Sequence, residues 1–342
     1  MLDQREIRSF AINSRIPRVS VSITVSDKTD HFEVCDFGHT IEHESRFFML
    51  ASVCKLVTSL CVLELKAVSK LQIDDQVTKH VPEFERIVDF PNDASILAFL
   101  NHQSGLKKVN YDWRSSQIGS TIDWIYRLLR DGPAVTEPLA FSPSRDYLYS
   151  NFNYQVLGAV VESISGGDFK SFANRVLAND DRVFFDISEC HRKAATPHVA
   201  VDGQLVPVAL PFGFEHYHSS ATLYSTVPLV HSLFHRYFIK GSGKELLRLC
   251  EENLRSSGVE YAPEFGACLF KQKRKLLIGG RETVNIYGHG GKELGYNTLQ
   301  LILPEIETSM SIACNKLSVN IIELAFNLLR SAPLTHPSST PR

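Results

Sequence analysis

Two hydrophobic periodicities divide the chain. Residues 19 to 26 read VSVSITVS, with Val19, Val21, Ile23 and Val25 alternating against serine and threonine. Strict period two over eight residues predicts a strand buried on one face. HFEVCDFG (31 to 38) predicts a second strand, closing a hairpin through Ser26 to Asp30. Helical spacing takes over in LVTSLCVLELKAVSKL (56 to 71). From about 75 to 250 it dominates, in TIDWIYRLLRDG (121 to 132), YQVLGAVVESISG (154 to 166) and FKSFANRVLAND (169 to 180). Each of these ends near Gly, Asn or Asp, as helix stops do. Residues 261 to 314 return to short strand-like pieces, GACLFKQ, KLLIGG, VNIYGHGG, YNTLQLILP and TSMSIACN, separated by turn signals. A helix, VNIIELAFNLLRS (319 to 331), follows, and PLTHPSSTPR reads as a loose tail.

Strands at both ends and helices between them predict an α+β fold. One antiparallel sheet is built from the N- and C-terminal segments and flanked by helices, with a mainly helical region inserted. We expect a single catalytic domain over 1–332, with a sheet lobe at about 1–60 and 255–332, a helical lobe at about 61–254, a cleft between them, and a flexible tail at 333–342.

Composition narrows the function classes. The 342 residues suffice for a large core. With 44% apolar and 22% charged residues and a net charge of -2, neither a disordered chain nor a nucleic-acid partner is indicated. The opening MLDQREIRSFAINSRIPRV has early acidic residues and lacks the apolar core of a secretory signal. No apolar run nears the roughly 18 residues of a membrane span, so a cytoplasmic protein with no membrane partner is expected. Seven scattered cysteines, odd in number and without a C-x-x-C pair, point to reduced, buried thiols.

Candidate chemistry begins at MLASVCKLVT (49 to 58). Positions i and i+3 share a helix face, so Ser52 and Lys55 stand one above the other. A lysine among Leu50, Val53, Leu56 and Val57 is partly desolvated, which lowers its pKa and lets it accept the proton of a serine nucleophile. The pair alone equally fits a lysine that snorkels to water. Tyr149-Ser150-Asn151 precedes an amphipathic helix: Tyr149 can relay a proton and Asn151 can bind a substrate carbonyl or Lys55, while Asn151 as a helix cap is the plainer alternative. YGHGGKELGY (287 to 296) opens at a strand end, where Gly288, Gly290 and Gly291 permit close backbone approach to a ligand or make a hairpin turn.

Taken in order, Ser-x-x-Lys, Tyr-Ser-Asn and His-Gly-Gly resemble the serine β-lactamase-like, penicillin-recognising family, on the branch of class C β-lactamases, D-alanyl-D-alanine carboxypeptidases and esterases. LNHQSGL (100 to 106), TLYSTVPLVHSLF (222 to 234) and SIACN (311 to 315) are similar to further segments of that family, so the resemblance runs from about 17 to 331. It implies a β-lactamase/transpeptidase-like fold in which Ser52 attacks a carbonyl to form an acyl-enzyme. Lys55 and Tyr149 move its proton, and the amides of Ser52 and Lys292 form the oxyanion hole. Asn151, His289, Gly290 and Gly291 contact the substrate. No cofactor or metal is implied. The expected activity is that of a serine hydrolase cleaving an ester or amide of a small-molecule or peptide-like acyl substrate, free or on a carrier protein. The alternative is an acyltransferase, thioesterase or peptide cyclase using the same acyl-Ser52; a non-catalytic scaffold has no need of Ser52, Lys55 and Tyr149 together.

Two departures from the family stand out. Its usual Lys-Thr-Gly is here His289-Gly290-Gly291, which lacks the fixed cation and hydroxyl that bind a substrate carboxylate and argues against β-lactam hydrolysis as the main role. Its usual Pro-Gly before the tyrosine is here Pro143-Ser144, which suggests an altered approach to the cleft. Among other residues, His216 and His218 alternate as metal ligands on a strand do, without an evident third ligand. Phe212, Phe214 and Tyr217 on the same loop line the cleft or cover a core. His102 reads as a buried structural histidine, Cys54 as a core thiol, and KQKRKLL (271 to 277) as a solvated strand or turn.

Overall fold

The two ends of the chain meet in one sheet. The computed structural model describes residues 2–35, 39–40, 46–87, 90–106, 124–125, 139–178, 182–209, 217–275 and 283–332. Strands β1 (Arg18–Val25) and β2 (Lys28–Cys35) form the expected hairpin, with a tighter turn: Val25 pairs with Lys28, and Ser26 takes φ 55°. β3 (His39–Thr40) lies beyond β2. In the middle of the chain β4 (Phe48–Met49), β5 (Val183–Phe184) and β8 (Tyr224–Ser225) make a small sheet, and β6 (His198–Val201) pairs with β7 (Gln204–Pro207). The C-terminal strands are β9 (Arg255–Val259), β10 (Ala262–Gly266), β11 (Leu269–Arg274), β12 (Val284–Glu293), β13 (Tyr296–Leu303) and β14 (Thr308–Cys314). β14 pairs with β1, Ile312 opposite Val21, giving the antiparallel order β3-β2-β1-β14-β13-β12-β11-β10-β9. The α+β expectation matches this topology, and the helical region enters between β4 and β9.

Helices Gln4–Asn13 and Ile321–Ser331 cover one sheet face, where Ile7, Ala11, Val21, Ile23, Leu301, Ile312, Leu324 and Leu328 share a core. The opposite face corrects the half-buried reading of β1, because Ser20, Ser22 and Thr24 are also buried. Helix Val227–His235 lies over them. His231 Nε2 is 2.7 Å from Thr24 Oγ1, and its Nδ1 is 3.0 Å from Ser311 Oγ. His235 Nδ1 meets Ser309 Oγ at 2.9 Å, and His31 Nδ1 meets Ser22 Oγ at 3.0 Å. Alternation reported polarity, not exposure: a hydroxyl can be buried once a partner from another element satisfies it.

Helix Cys54–Ala67 is buried nearly all round, in the interior of the helical region. It packs against helices Asn151–Ser165, closed by Gly166 at φ 73°, and Phe169–Val176, capped by Asp168. Of the 121–132 segment only Trp124 and Ile125 are among the described residues, and most of KLLIGG and the tail lie outside them. All seven cysteines are buried, and none is in a disulfide. No helix among the described residues is long and apolar enough to cross a membrane.

The 100–106 segment serves as a dock for the tyrosine loop. Ala140 N donates to Gly105 O (2.8 Å), Ser144 N to Gln103 O (2.8 Å) and Leu148 N to His102 O (3.0 Å). Gly105 sits at φ 84°, and a Cβ there would lie 2.1 Å from the Phe141 carbonyl oxygen, so only glycine fits. Ser144 adopts φ 63°, a conformation glycine enters freely. The departure from Pro-Gly is therefore absorbed as backbone strain.

Two predictions follow from this architecture. Ser144→Gly should raise unfolding free energy by about 0.5–1 kcal/mol, the relief of left-handed strain less the added chain entropy of glycine; an unchanged or lower urea midpoint would contradict it. Burial pushes His31 and His235 down and His231 down to about 3. These folded-state values lie below the unfolded 6.5, so their contribution is complete above pH 6.5 and is lost as pH falls towards 3. Between pH 6 and 4, His231→Gln should flatten the decline in stability by about 1 kcal/mol per pH unit, read from urea unfolding at each pH.

Candidate active site

A strained turn presents Ser52. It lies in a 3-10 turn, Ala51–Val53, that runs into helix Cys54–Ala67, and Ala51 before it is held at φ 47°. Thr298 Oγ1, on β13, donates to the Leu50 carbonyl (2.7 Å) and ties this turn to the sheet. One helical turn on, Lys55 Nζ lies 3.0 Å from Ser52 Oγ and donates to the Ser220 carbonyl at 2.8 Å. Lys55 is wholly buried, and burial brings its amine from 10.5 down to about 8. It does not snorkel.

The described end of the FEHYHSS segment, residues 217–220, supports this helix. Successive carbonyls of His218, Ser219 and Ser220 accept hydrogen bonds from Cys54 Sγ (3.0 Å), Thr58 Oγ1 (2.5 Å) and Lys55 Nζ. Tyr217 packs 6.1 Å from Trp124, ring to ring. Phe212, Phe214 and His216 fall outside the described residues, among which no three His, Cys, Asp or Glu side chains gather as metal ligands. Cys54 is a buried thiol pushed up to about 12, chiefly by burial, and so is no thiolate nucleophile.

Tyr149 reaches the same point from the loop that precedes helix Asn151–Ser165. Its hydroxyl hydrogen-bonds Ser52, and its ring lies 4.3 Å from that of His102 and 5.2 Å from Lys55 Nζ. Burial raises the phenol well above 10 despite the Ser52 bond. His102, buried as expected, does more than fill space. Its Nδ1 takes the Ser150 backbone N–H (3.2 Å) and the Asn153 amide (3.1 Å), and Asn153 in turn accepts from Ser104 Oγ (2.5 Å). The tyrosine is thus fixed from behind. Ser150, not Asn151, caps the following helix by accepting from Phe152 N (3.2 Å). Asn151 Oδ1 is buried without a hydrogen-bond partner among the described residues, and Asn151 does not line the main cavity.

The third station borders Ser52 from the sheet. β11 pairs with β12 only as far as Gly288, so beyond it the β12 edge faces the Ser52 turn. A Cβ on Gly291 would lie 2.4 Å from Leu50 O and 3.0 Å from Ser52 N. Only glycine allows that approach, which brings the Gly291–Lys292 backbone alongside the Ser52 amide. His289, Gly290, Gly291 and Lys292 line a cavity of about 480 Å³ with Ser52 and Tyr149. Val259, Tyr261, Phe265, Phe270, Ile321 and Ile322 make its walls largely apolar. Sequence reading missed Thr298, the Ser220 carbonyl and these wall residues. Thr298 could be found only from the β12–β13 register that sets it opposite Gly291.

Comparison with known proteins agrees with this layout. A family model described as Beta-lactamase matches residues 4–321. The chain is 32% identical over 191 residues to esterase EstB of Burkholderia gladioli, covering 50% of this chain and 46% of the esterase. It is 24% identical over 196 residues to teichoic acid D-alanine hydrolase of Staphylococcus aureus strain MRSA252, covering 56% of this chain and 46% of that protein. The chain spans less than half the length of these curated relatives. The structure of a D-stereospecific amidohydrolase from Streptomyces superposes with a TM-score of 0.77 at 14% identity, over 96% of this chain and 99% of that one, a likeness of fold. With the family model matched across nearly the whole described domain, and the three sequence stations meeting around one cavity, the chain belongs to the beta-lactamase family.

Proposed function

We propose that the protein is a serine hydrolase that cleaves an ester or amide through an acyl intermediate on Ser52. The observation that carries this is the buried Lys55 amine, 3.0 Å from Ser52 Oγ and held at about 8. At pH 7 about a tenth of such an amine is neutral. Neutral Nζ keeps its hydrogen bond to Ser220 O and turns its lone pair to the Ser52 hydroxyl.

Ser52 Oγ attacks the substrate carbonyl as its proton passes to Lys55. The tetrahedral oxyanion lies between the amides of Ser52 and Lys292, each such donor contributing about 2.7–4 kcal/mol to the transition state. Tyr149, far too weak an acid to stand as phenolate, serves as relay: it gives its proton to the leaving group and regains one from Lys55. Water then attacks the acyl carbon, its proton returns through Tyr149, and Ser52 leaves. An esterase and a D-alanine hydrolase among the relatives support this substrate class. His289-Gly290-Gly291 in place of a lysine and a threonine disfavours penicillins as the main substrates.

Intact-protein mass spectrometry after exposure to a fluorophosphonate, activated esters, D-amino-acid amides and a penicillin tests this reading. One adduct should form and vanish in Ser52→Ala; no adduct with any reagent would sink it. Adding an amine acceptor separates hydrolysis from transfer, since a transferase would yield the amide in preference to the acid. Lys55→Arg, which cannot lose its proton, should reduce kcat/KM by about 10²–10⁴. The wild-type kcat/KM should rise with pH to a plateau through an apparent pKa near 8; a pH-independent rate between 6 and 9 would remove Lys55 as the base.

A further inference from the structure

His289 carries information about the substrate that its place in the motif does not. The residue is only 2% exposed and lines the cavity beside Ser52. Its Nδ1 is 2.7 Å from the Gly290 carbonyl oxygen. A carbonyl can only accept, so Nδ1 holds the ring proton and Nε2 presents a bare lone pair. Nε2 is buried and has no hydrogen-bond partner among the described residues. The rings of Phe265 (5.8 Å) and Tyr149 (6.1 Å), which line the same cavity, flank the imidazole.

A second proton on this ring is strongly disfavoured. Burial, with the Lys55 cation nearby, brings His289 down to about 3. Among the described residues lining the cavity there is no aspartate, glutamate or arginine, and the one lysine is Lys292. A buried acceptor left unpaired is unfavourable, and a carboxylate set against it would be more so.

Resting on the hydrolase reading above, we propose that His289 is a specificity residue whose Nε2 accepts a hydrogen bond from an N–H or O–H of the substrate. The preferred substrates then carry a neutral donor, such as an acylamino or hydroxyl group, where a carboxylate would be rejected. The position that a lysine would make a carboxylate anchor has become a reader of donors.

The test compares kcat/KM for phenyl N-acetylglycinate, its N-methyl analogue phenyl N-acetylsarcosinate, and the phenyl monoester of glutaric acid, with Ser52→Ala rates subtracted. Wild-type protein should favour the N–H ester over both others by tenfold or more. His289→Leu should bring the N–H to N-methyl ratio near one, His289→Gln, which keeps an acceptor oxygen, should retain part of it, and His289→Lys should shift preference to the glutarate monoester. Ratios are taken within each variant, so an overall loss of rate does not decide the matter. Fastest wild-type turnover of the glutarate ester, or a ratio unchanged in His289→Leu, would overturn the assignment. Failure of wild-type Ser52 to take a fluorophosphonate would instead overturn the hydrolase reading, whereas labelled Ser52 with no N–H preference overturns the specificity alone.

Discussion

The whole site depends on one unfavourable placement, a lysine ammonium enclosed in the protein interior. An amine held at about 8 rather than 10.5 is ionised in the fold at a cost on the order of 3 kcal/mol. A lysine free to reach solvent would avoid that cost and would be useless as a base at neutral pH. Here the helix from Cys54 is buried on nearly every side, and the 218–220 backbone closes over it, so among the described residues Nζ hydrogen-bonds Ser52 Oγ and Ser220 O. In the proposed mechanism, the instability built in at this point is what activates the hydroxyl beside it.

Holding such a group calls for support from the sheet and from the helices. From the sheet, Thr298 grips the Leu50 carbonyl and Gly291 lets β12 lie against the Ser52 turn. From the helical side, the 100–106 segment clasps the loop that carries Tyr149, and His102 fixes the first turn of the following helix. The cavity lies where these supports meet. Its apolar walls come from β9, β10, β11 and the start of helix Ile321–Ser331, elements from the C-terminal quarter of the chain. Closing the two chain ends into one sheet therefore builds the scaffold and the substrate wall in the same step.

Much of this was legible in the sequence. Period-two and helical patterns located the sheet strands and the main helices, and the order of the three motifs located Ser52, Lys55, Tyr149 and the His289–Lys292 edge. The illegible part was relational. Alternation in β1 could not say that its serine face is covered, because the covering histidines lie some two hundred residues away. Asn151 looked like a cap because sequence cannot tell which of two adjacent polar residues turns back on the helix, and Ser150 does. The FEHYHSS loop suggested ligands or cleft lining from its side chains, whereas its contribution to Lys55 is made by backbone carbonyls, which leave no mark in a sequence. His289's tautomer likewise depends on one contact with its neighbour's carbonyl.

The central claim is that the fold turns Lys55 into a base near neutral pH, and its most direct test is titration of the lysine amines by NMR in protein carrying ¹³C at the lysine Cε. The account predicts one resonance titrating near 8 that is absent from Lys55→Arg. A Lys55 resonance titrating near the ordinary 10.5 would contradict it.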